Sequence, residues 1–429
     1  MTVKSTKKEL MPGVSLTCVR TEKFKTGCLS VSLLTQLGRE SAASVALIPR
    51  VLRRGSALYP DMEIIARELD ELYGARIEPV VRKKGEIQAL GFYADFVDDA
   101  FLPGGDRLLP KVANLLGEIL LRPCTRGGLL TPAYVQSERE KLVDEIRARI
   151  NEKRSYSVLR LFELMCFGED YAVDRLGNED DAEAITYLKL SRRYKDLLAR
   201  SPIDIFYCGS ADPATVERAL ADALAGLPRG EIDFDIGTDV RMNSVEEEYR
   251  YFEDRMNVTQ GKLAIGFRLG DCMEDPDFAA LRVFNAVYGG SVTSKLFMNV
   301  RERLSLCYFA SSGLDTHKGL MYVSSGIEFD KFNEARDEIF AQLEAVRQGD
   351  ITDEELEAAR KYVASSLRAA MDSPAMLEEY YLNQNILGQA GEPDELAVLC
   401  ESVTKDEVVE IARGVQCDAV YFLRGGGEV

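Results

Sequence analysis

One histidine and nine cysteines are what this 429-residue chain offers for metal, nucleophilic or redox chemistry. A zinc site built from imidazoles needs two or three of them unless cysteines stand in. His317, in "LDTHKG", is alone, and no two cysteines form a C-x-x-C pair of the kind that marks a zinc ribbon or a redox motif. A Ser-His-Asp or Cys-His machine would have to use His317, with Cys307 or Asp315 as its partner. "THKG" reads more simply as a turn between two strands carrying a solvated histidine. The cysteines, scattered and odd in number, read as reduced and mostly buried thiols. Asp233, Asp235 and Asp239 cluster, but their loop lacks the glycine and final glutamate of a calcium loop. No glycine-rich phosphate loop is present.

A second stretch poses a different question. In "SVALIPRVLRRGS" (44–56) the apolar residues Val45, Leu47, Ile48, Val51 and Leu52 are spaced for a helix. Pro49 stands inside that helix, where it removes a backbone donor and clashes with the preceding turn at a cost of ~3 kcal/mol. The spacing therefore predicts a helix that is distorted or interrupted near residues 45 to 49.

The formal net charge of −18 argues against a nucleic-acid partner, which requires a basic face, and disfavours adhesion to anionic membranes. Hydrophobic content of 46% and charged content of 29% are those of a soluble globular protein. There is no run of eighteen apolar residues, and "MTVKSTKKELMPG" has no apolar signal core. A cytoplasmic location is the expectation.

The elements that must position these residues come in two copies. "RVLRRGSALYPDMEIIARELDELYGARIEPVV" precedes the alternating "EIQALGFYADF", and "NAVYGGSVTSKLFMNVRERLSLCYFASSG" precedes "LMYVSSGIEF". Gly55-Ser56 aligns with Gly290-Ser291, and Arg67 with Arg301. Each block runs into a helix, "DRLLPKVANLLGEILL" or "NEARDEIFAQLEAVRQG". Residues 138–168 then parallel residues 357–388. Three matched blocks in one order indicate a duplicated α+β domain. "CLSVSLLTQLG" and "KLAIGFRLG" alternate as half-buried strands do. Thr352 and Glu355 form a capping box, and Pro213 opens a helix after "SPIDIFYCGSAD". The acidic stretch 228–248 is weakly periodic. The expected division is residues 1–228, a linker over 229–248, and residues 249–429. "YGGSVTSK" reads as a turn and "RGGGEV" as a flexible tail.

The duplicated domain, "RERLSLCY" and "EREKLVDEI…YSVLRLFELMCFG" resemble the M16 metallopeptidases, the insulinase, pitrilysin and mitochondrial processing peptidase family. The likeness covers nearly the whole chain and is strongest to bacterial members that lack a zinc motif and accompany an active one. It implies two tandem domains of the LuxS/processing-peptidase type, each a mainly antiparallel sheet packed by helices, together forming half of a clam. Active members carry H-x-x-E-H on a helix, where two imidazoles a turn apart grip zinc and the glutamate activates its water. In this family that motif precedes an ending like "VLRRGS". The resemblance therefore sets Ala46 at the first ligand, Pro49 at the general base and Arg50 at the second ligand. A further ligand aligns with Glu145. Only the last is chemically suited, so no zinc is expected in this chain and none of its own peptidase activity. Glu145 either pairs with Arg50 or is an exposed helix residue.

The resemblance also implies that Arg301 and Tyr308 match a substrate-holding and oxyanion-stabilising pair. Read from the residues alone, they are a surface helix arginine and a half-buried strand tyrosine. The expected partners are a catalytic M16 paralogue with H-x-x-E-H, which would hold the zinc, and a peptide substrate. The alternative is a stand-alone, possibly homodimeric, peptide-binding or structural scaffold.

Overall fold

A computed structural model describes residues 4–274 and 277–426. In chain order the first repeat comprises β1 (Ser5–Met11), β2 (Val14–Arg20), β3 (Thr26–Gln36), α1 (Ala42–Leu52), α2 (Met62–Glu71), β4 (Arg76–Lys84), β5 (Ile87–Val97), α3 (Leu109–Leu121), β6 (Thr125–Arg126), β7 (Leu129–Leu130), α4 (Pro132–Ala148), α5 (Lys153–Met165), α6 (Glu179–Glu183), α7 (Tyr187–Arg200), β8 (Ile203–Gly209) and α8 (Pro213–Ala223). The second comprises β9 (Arg250–Met256), β10 (Gly261–Arg268), α9 (Phe278–Asn285), β11 (Cys307–Asp315), β12 (Leu320–Ile327), α10 (Phe332–Arg347), α11 (Asp353–Ala370), α12 (Pro374–Ile386), α13 (Pro393–Ser402), α14 (Lys405–Gly414) and β13 (Gln416–Gly425). The fold is α+β. Among the described residues no helix is long and apolar enough to cross a membrane.

The duplication is visible in the strand order. The first sheet runs β1-β2-β8-β3-β5-β4 and the second β9-β13-β10-β12-β11. Apart from β1, the two orders correspond strand for strand. In each, the last strand of the repeat pairs parallel to the first of the corresponding strands, β8 with β2 and β13 with β9, and the remaining pairings are antiparallel. Local chemistry sets the helix starts. Asp212 caps α8 with Pro213 in its first turn. The capping box expected before α11 is present, with Glu355 N donating to Thr352 Oγ1 at 3.1 Å and Thr352 N to Glu355 Oε2 at 2.8 Å. Residues 228–248 contain neither helix nor strand.

The chain packs into two compact units, each drawing on three stretches of it. The first takes residues up to Arg147, Val173–Gly237 and Ala370–Glu392. The second takes Ala148–Ala172, Thr238–Ala369 and the chain from Pro393 onward. So α5, from the first repeat, packs on β10 and β13 of the second unit, while α12, from the second, packs on β8 and β3 of the first. The strands involved are equivalent and the exchange is reciprocal. It explains why β3 and β10, which alternate like half-buried strands, are almost wholly buried: the exchanged helix covers the face that would otherwise meet water.

In the first unit the Phe206 ring stacks on Tyr381 at 5.7 Å. Asn385 Nδ2 donates to Asp204 Oδ1 at 2.7 Å and Arg82 Nη1 to Glu378 Oε1 at 2.7 Å. In the second, Leu161 and Met165 join Ala264, Ala419 and Tyr421 in one apolar cluster.

Three local expectations are corrected. The helix around Pro49 is neither broken nor interrupted: α1 runs from Ala42 to Leu52 with Pro49 inside it. Val45, Leu47, Ile48, Val51 and Leu52 are all buried, and at ~1.5–3 kcal/mol each they outweigh one missing hydrogen bond. His317 does lie in a turn between strands β11 and β12, but it is not solvated; its side chain is 10% exposed, with Nδ1 3.7 Å from Asp315 Oδ1. Finally, Arg424 and Gly425 of the expected flexible tail end strand β13; residues 427–429 lie outside the described residues.

Candidate functional site

Helix α1 brings Ala46, Pro49 and Arg50 to one face, because residues three and four apart in a helix lie one above the other. Ala46 and Pro49 are buried among apolar neighbours. Neither has a side-chain donor atom for a metal. Helix α4 brings Glu145 to the same place, and Arg50 Nη2 lies 2.8 Å from Glu145 Oε2, the side chains being 20% and 44% exposed. The one carboxylate suited to a metal is thus engaged by a permanent cation. Among the described residues no three His, Cys, Asp or Glu side chains stand together as a metal would need. This donor set does not fit zinc, which takes at least three protein ligands.

The same face opens into a pocket of about 600 Å³ between α1, the edge strand β4 and α4. Six cations line it: Arg50, Arg53, Arg54, Arg82, Lys141 and Arg175. Their neighbours differ. Arg54 Nη1 lies 3.3 Å from Glu138 Oε1, which also accepts from Lys141 Nζ at 2.7 Å. Arg82 is bound by Glu378. Arg53 instead donates through Nε to the carbonyl of Ile77 at 2.7 Å, and among the described residues its buried Nη1 has no partner. Burial lowers its pKa, partly opposed by Glu78. "VLRRGS" made two of these arginines visible in the sequence. Arg82, Lys141 and Arg175 come from separate elements, and no local signal connects them.

Arg301 and Tyr308 belong to the second unit. Arg301 lies on Leu296–Arg303, a helical segment with wide i→i+5 turns, a geometry frequent at functional sites. Its guanidinium lies over the Phe297 ring at 4.7 Å, with Glu302 at 3.4 Å. The chain then passes through Ser305, a non-glycine residue at φ 50°. Tyr308 follows on β11, the other sheet's edge strand, where the register shifts between Cys307 and Phe309. Such a bulge re-aims a side chain. The tyrosine is 62% exposed and donates its hydroxyl to Glu328 Oε1 at 2.6 Å. A carboxylate in that position raises the phenol's pKa. Both groups have accessible polar heads, each held by its own carboxylate. Cys307 and Asp315 stand at opposite ends of β11, so His317 is beside only one of them. All nine cysteines are free thiols.

The "Peptidase M16 inactive domain" profile matches residues 184–363. The chain is 32% identical to "Probable inactive metalloprotease YmfF" of Bacillus subtilis, over 96% of each chain. It is 24% identical to "Antilisterial bacteriocin subtilosin biosynthesis protein AlbE" of the same organism, over 66% of this chain and 72% of that one. Among solved structures, a conserved protein from Enterococcus faecalis V583 superposes with a TM-score of 0.87 at 29% identity, covering 99% of both chains.

Proposed function

The chain belongs to the M16 peptidase family, as an inactive homologue, and from that membership we propose that it is the non-catalytic subunit of a heterodimeric M16 zinc peptidase. In this reading it binds peptide substrate and supports cleavage by a partner that carries H-x-x-E-H and holds the zinc. The observation that carries it is the contrast between the two sites. The positions that the resemblance aligns with zinc ligands hold buried apolar residues and an ion pair, whereas Arg301 and Tyr308 have exposed polar heads. A fixed cation and a phenolic donor suit the stabilisation of a tetrahedral oxyanion formed at a partner's zinc. A relative named for bacteriocin biosynthesis supports a peptide precursor or leader as the substrate class. Nine free cysteines suit a reducing compartment, and the proposed setting is the cytoplasm.

The test is to mix the purified chain with an H-x-x-E-H M16 paralogue from the same organism. A complex on gel filtration and a rise in peptide cleavage over the paralogue alone are expected. Neither complex nor rise overturns the proposal, and a stable homodimer that ignores the paralogue would favour the scaffold alternative. Within the complex, Arg301→Ala and Tyr308→Phe are each expected to lower kcat by about 10²-fold, the scale of losing one oxyanion donor. Unchanged turnover removes their catalytic role.

A further inference from the structure

The pocket on α1 is basic in a chain whose net charge is −18. Of its six cations, Arg53 and Arg175 have no carboxylate within ion-pair distance among the described residues, and Lys141 and Arg54 share a single one, Glu138. Glu78 and Glu138 are the carboxylates in the lining. Charge in a concave site is focused by its low-dielectric walls, so this pocket attracts anions out of proportion to the protein's overall sign.

The adjoining edge strand does not offer a free backbone. Arg53 Nε donates to the carbonyl of Ile77 at 2.7 Å, and Arg175 Nη1 to that of Val81 at 3.5 Å. Residues 77, 79 and 81 share one parity along β4, and in an antiparallel pair alternate residues direct their backbone groups away from the partner strand. The residue between those two carbonyls is Pro79, which has no N–H to donate. Two carbonyls on the outer edge of β4 are therefore capped and one donor is missing. An incoming strand would find little to pair with, a common way of blunting an edge. What this face presents is side-chain charge.

We propose that the pocket between α1, β4 and α4 selects acidic peptide segments, recognising adjacent Asp or Glu carboxylates by Arg53, Lys141 and Arg175 rather than by strand addition. The inference rests on the peptide-binding reading above and gives it a substrate class. Guanidinium and ammonium groups donate charge-assisted hydrogen bonds to carboxylates, and about 600 Å³ is room for a few side chains.

The test measures fluorescence anisotropy of the full chain with a labelled, C-terminally amidated peptide alternating Glu and Ser, and with its Gln-Ser counterpart. The Glu peptide is expected to bind at least about tenfold more tightly, with the difference shrinking at high salt. Arg53→Ala with Arg175→Ala should abolish that preference. Because Arg53 also holds the Ile77 carbonyl, Lys141→Ala is the companion variant; its side chain is mostly exposed, and it should weaken the Glu peptide alone. Equal binding of both peptides overturns the selectivity but leaves the peptide-binding subunit standing. Undiminished binding of the Glu peptide by both variants overturns the pocket assignment. Binding of neither peptide overturns the inference, and the mixing experiment then decides the subunit reading by itself.

Discussion

Asp204 and Glu169 are two buried carboxylates that titrate in opposite directions. Burial pushes Asp204 up to about 7, and hydrogen bonds from Ser15 and Asn385 recover only part of the cost. Between an unfolded value near 3.8 and a folded value of about 7, the native state holds a proton that the unfolded chain has released. Stability therefore falls as pH rises through that window. Denaturant melts between pH 4 and 7 should show the decline, by up to about 4 kcal/mol, and Asp204→Asn should remove it. For Glu169 burial also raises the pKa, but Arg268 at 2.7 Å and Lys318 at 2.8 Å outweigh it and hold the carboxyl at about 2. Its contribution is complete above its ordinary 4.5 and is lost as pH falls toward 2. Glu169→Gln should cost about 3–5 kcal/mol at neutral pH, because it removes the carboxylate shared by the fully buried Arg268 and Lys318 and leaves Arg268 with Asp418 at 2.9 Å. The half-exposed Arg50–Glu145 pair is worth far less. A double-mutant cycle should give a coupling below about 1 kcal/mol. At this scale the residue types of Ala46, Pro49 and Arg50 show that none of them suits a metal; that they stand at a zinc motif's positions is what the resemblance implies. The environments of Asp204 and Glu169 were not legible, because a carboxylate in a sequence carries no mark of what will surround it.

At the scale of elements, helix α1 shows how far packing overrides local propensity. Pro49 predicts a helix distorted or interrupted near residues 45 to 49, yet the helix is continuous because most of its residues are buried. Strand β1 was missed for the converse reason: "STKKELM" is polar on both faces and lies at a sheet edge, where no core demands apolar alternation. One glycine of β10 lies directly against α5. A Cβ on Gly266 of β10 would overlap Met165 Sδ and come within 3.3 Å of Leu161 Cδ2. Gly266→Ala should therefore destabilise by about 1–3 kcal/mol through overpacking. Hydrogen exchange should show β10 and β13 losing protection before the first unit's sheet.

Across the whole molecule, the reciprocal exchange of α5 and α12 makes each repeat incomplete by itself. A fragment ending at residue 228 would lack α12 and expose the face of β8 and β3 that carries Phe206, which is buried against Tyr381. It should show no cooperative thermal transition by circular dichroism, whereas the full chain should. The linear order of blocks disclosed the duplication and the α+β class, because the periodicity of each element is a local property and repeats leave local traces. The sequence by itself determined the number of repeats, most of their elements and the lack of metal-binding atoms on Ala46 and Pro49, each a matter of residue type or short spacing. Only the tertiary structure decided which helix covers which sheet and which arginines share a pocket. Those outcomes depend on buried area and charge balance between residues far apart in the chain, and no local pattern encodes them.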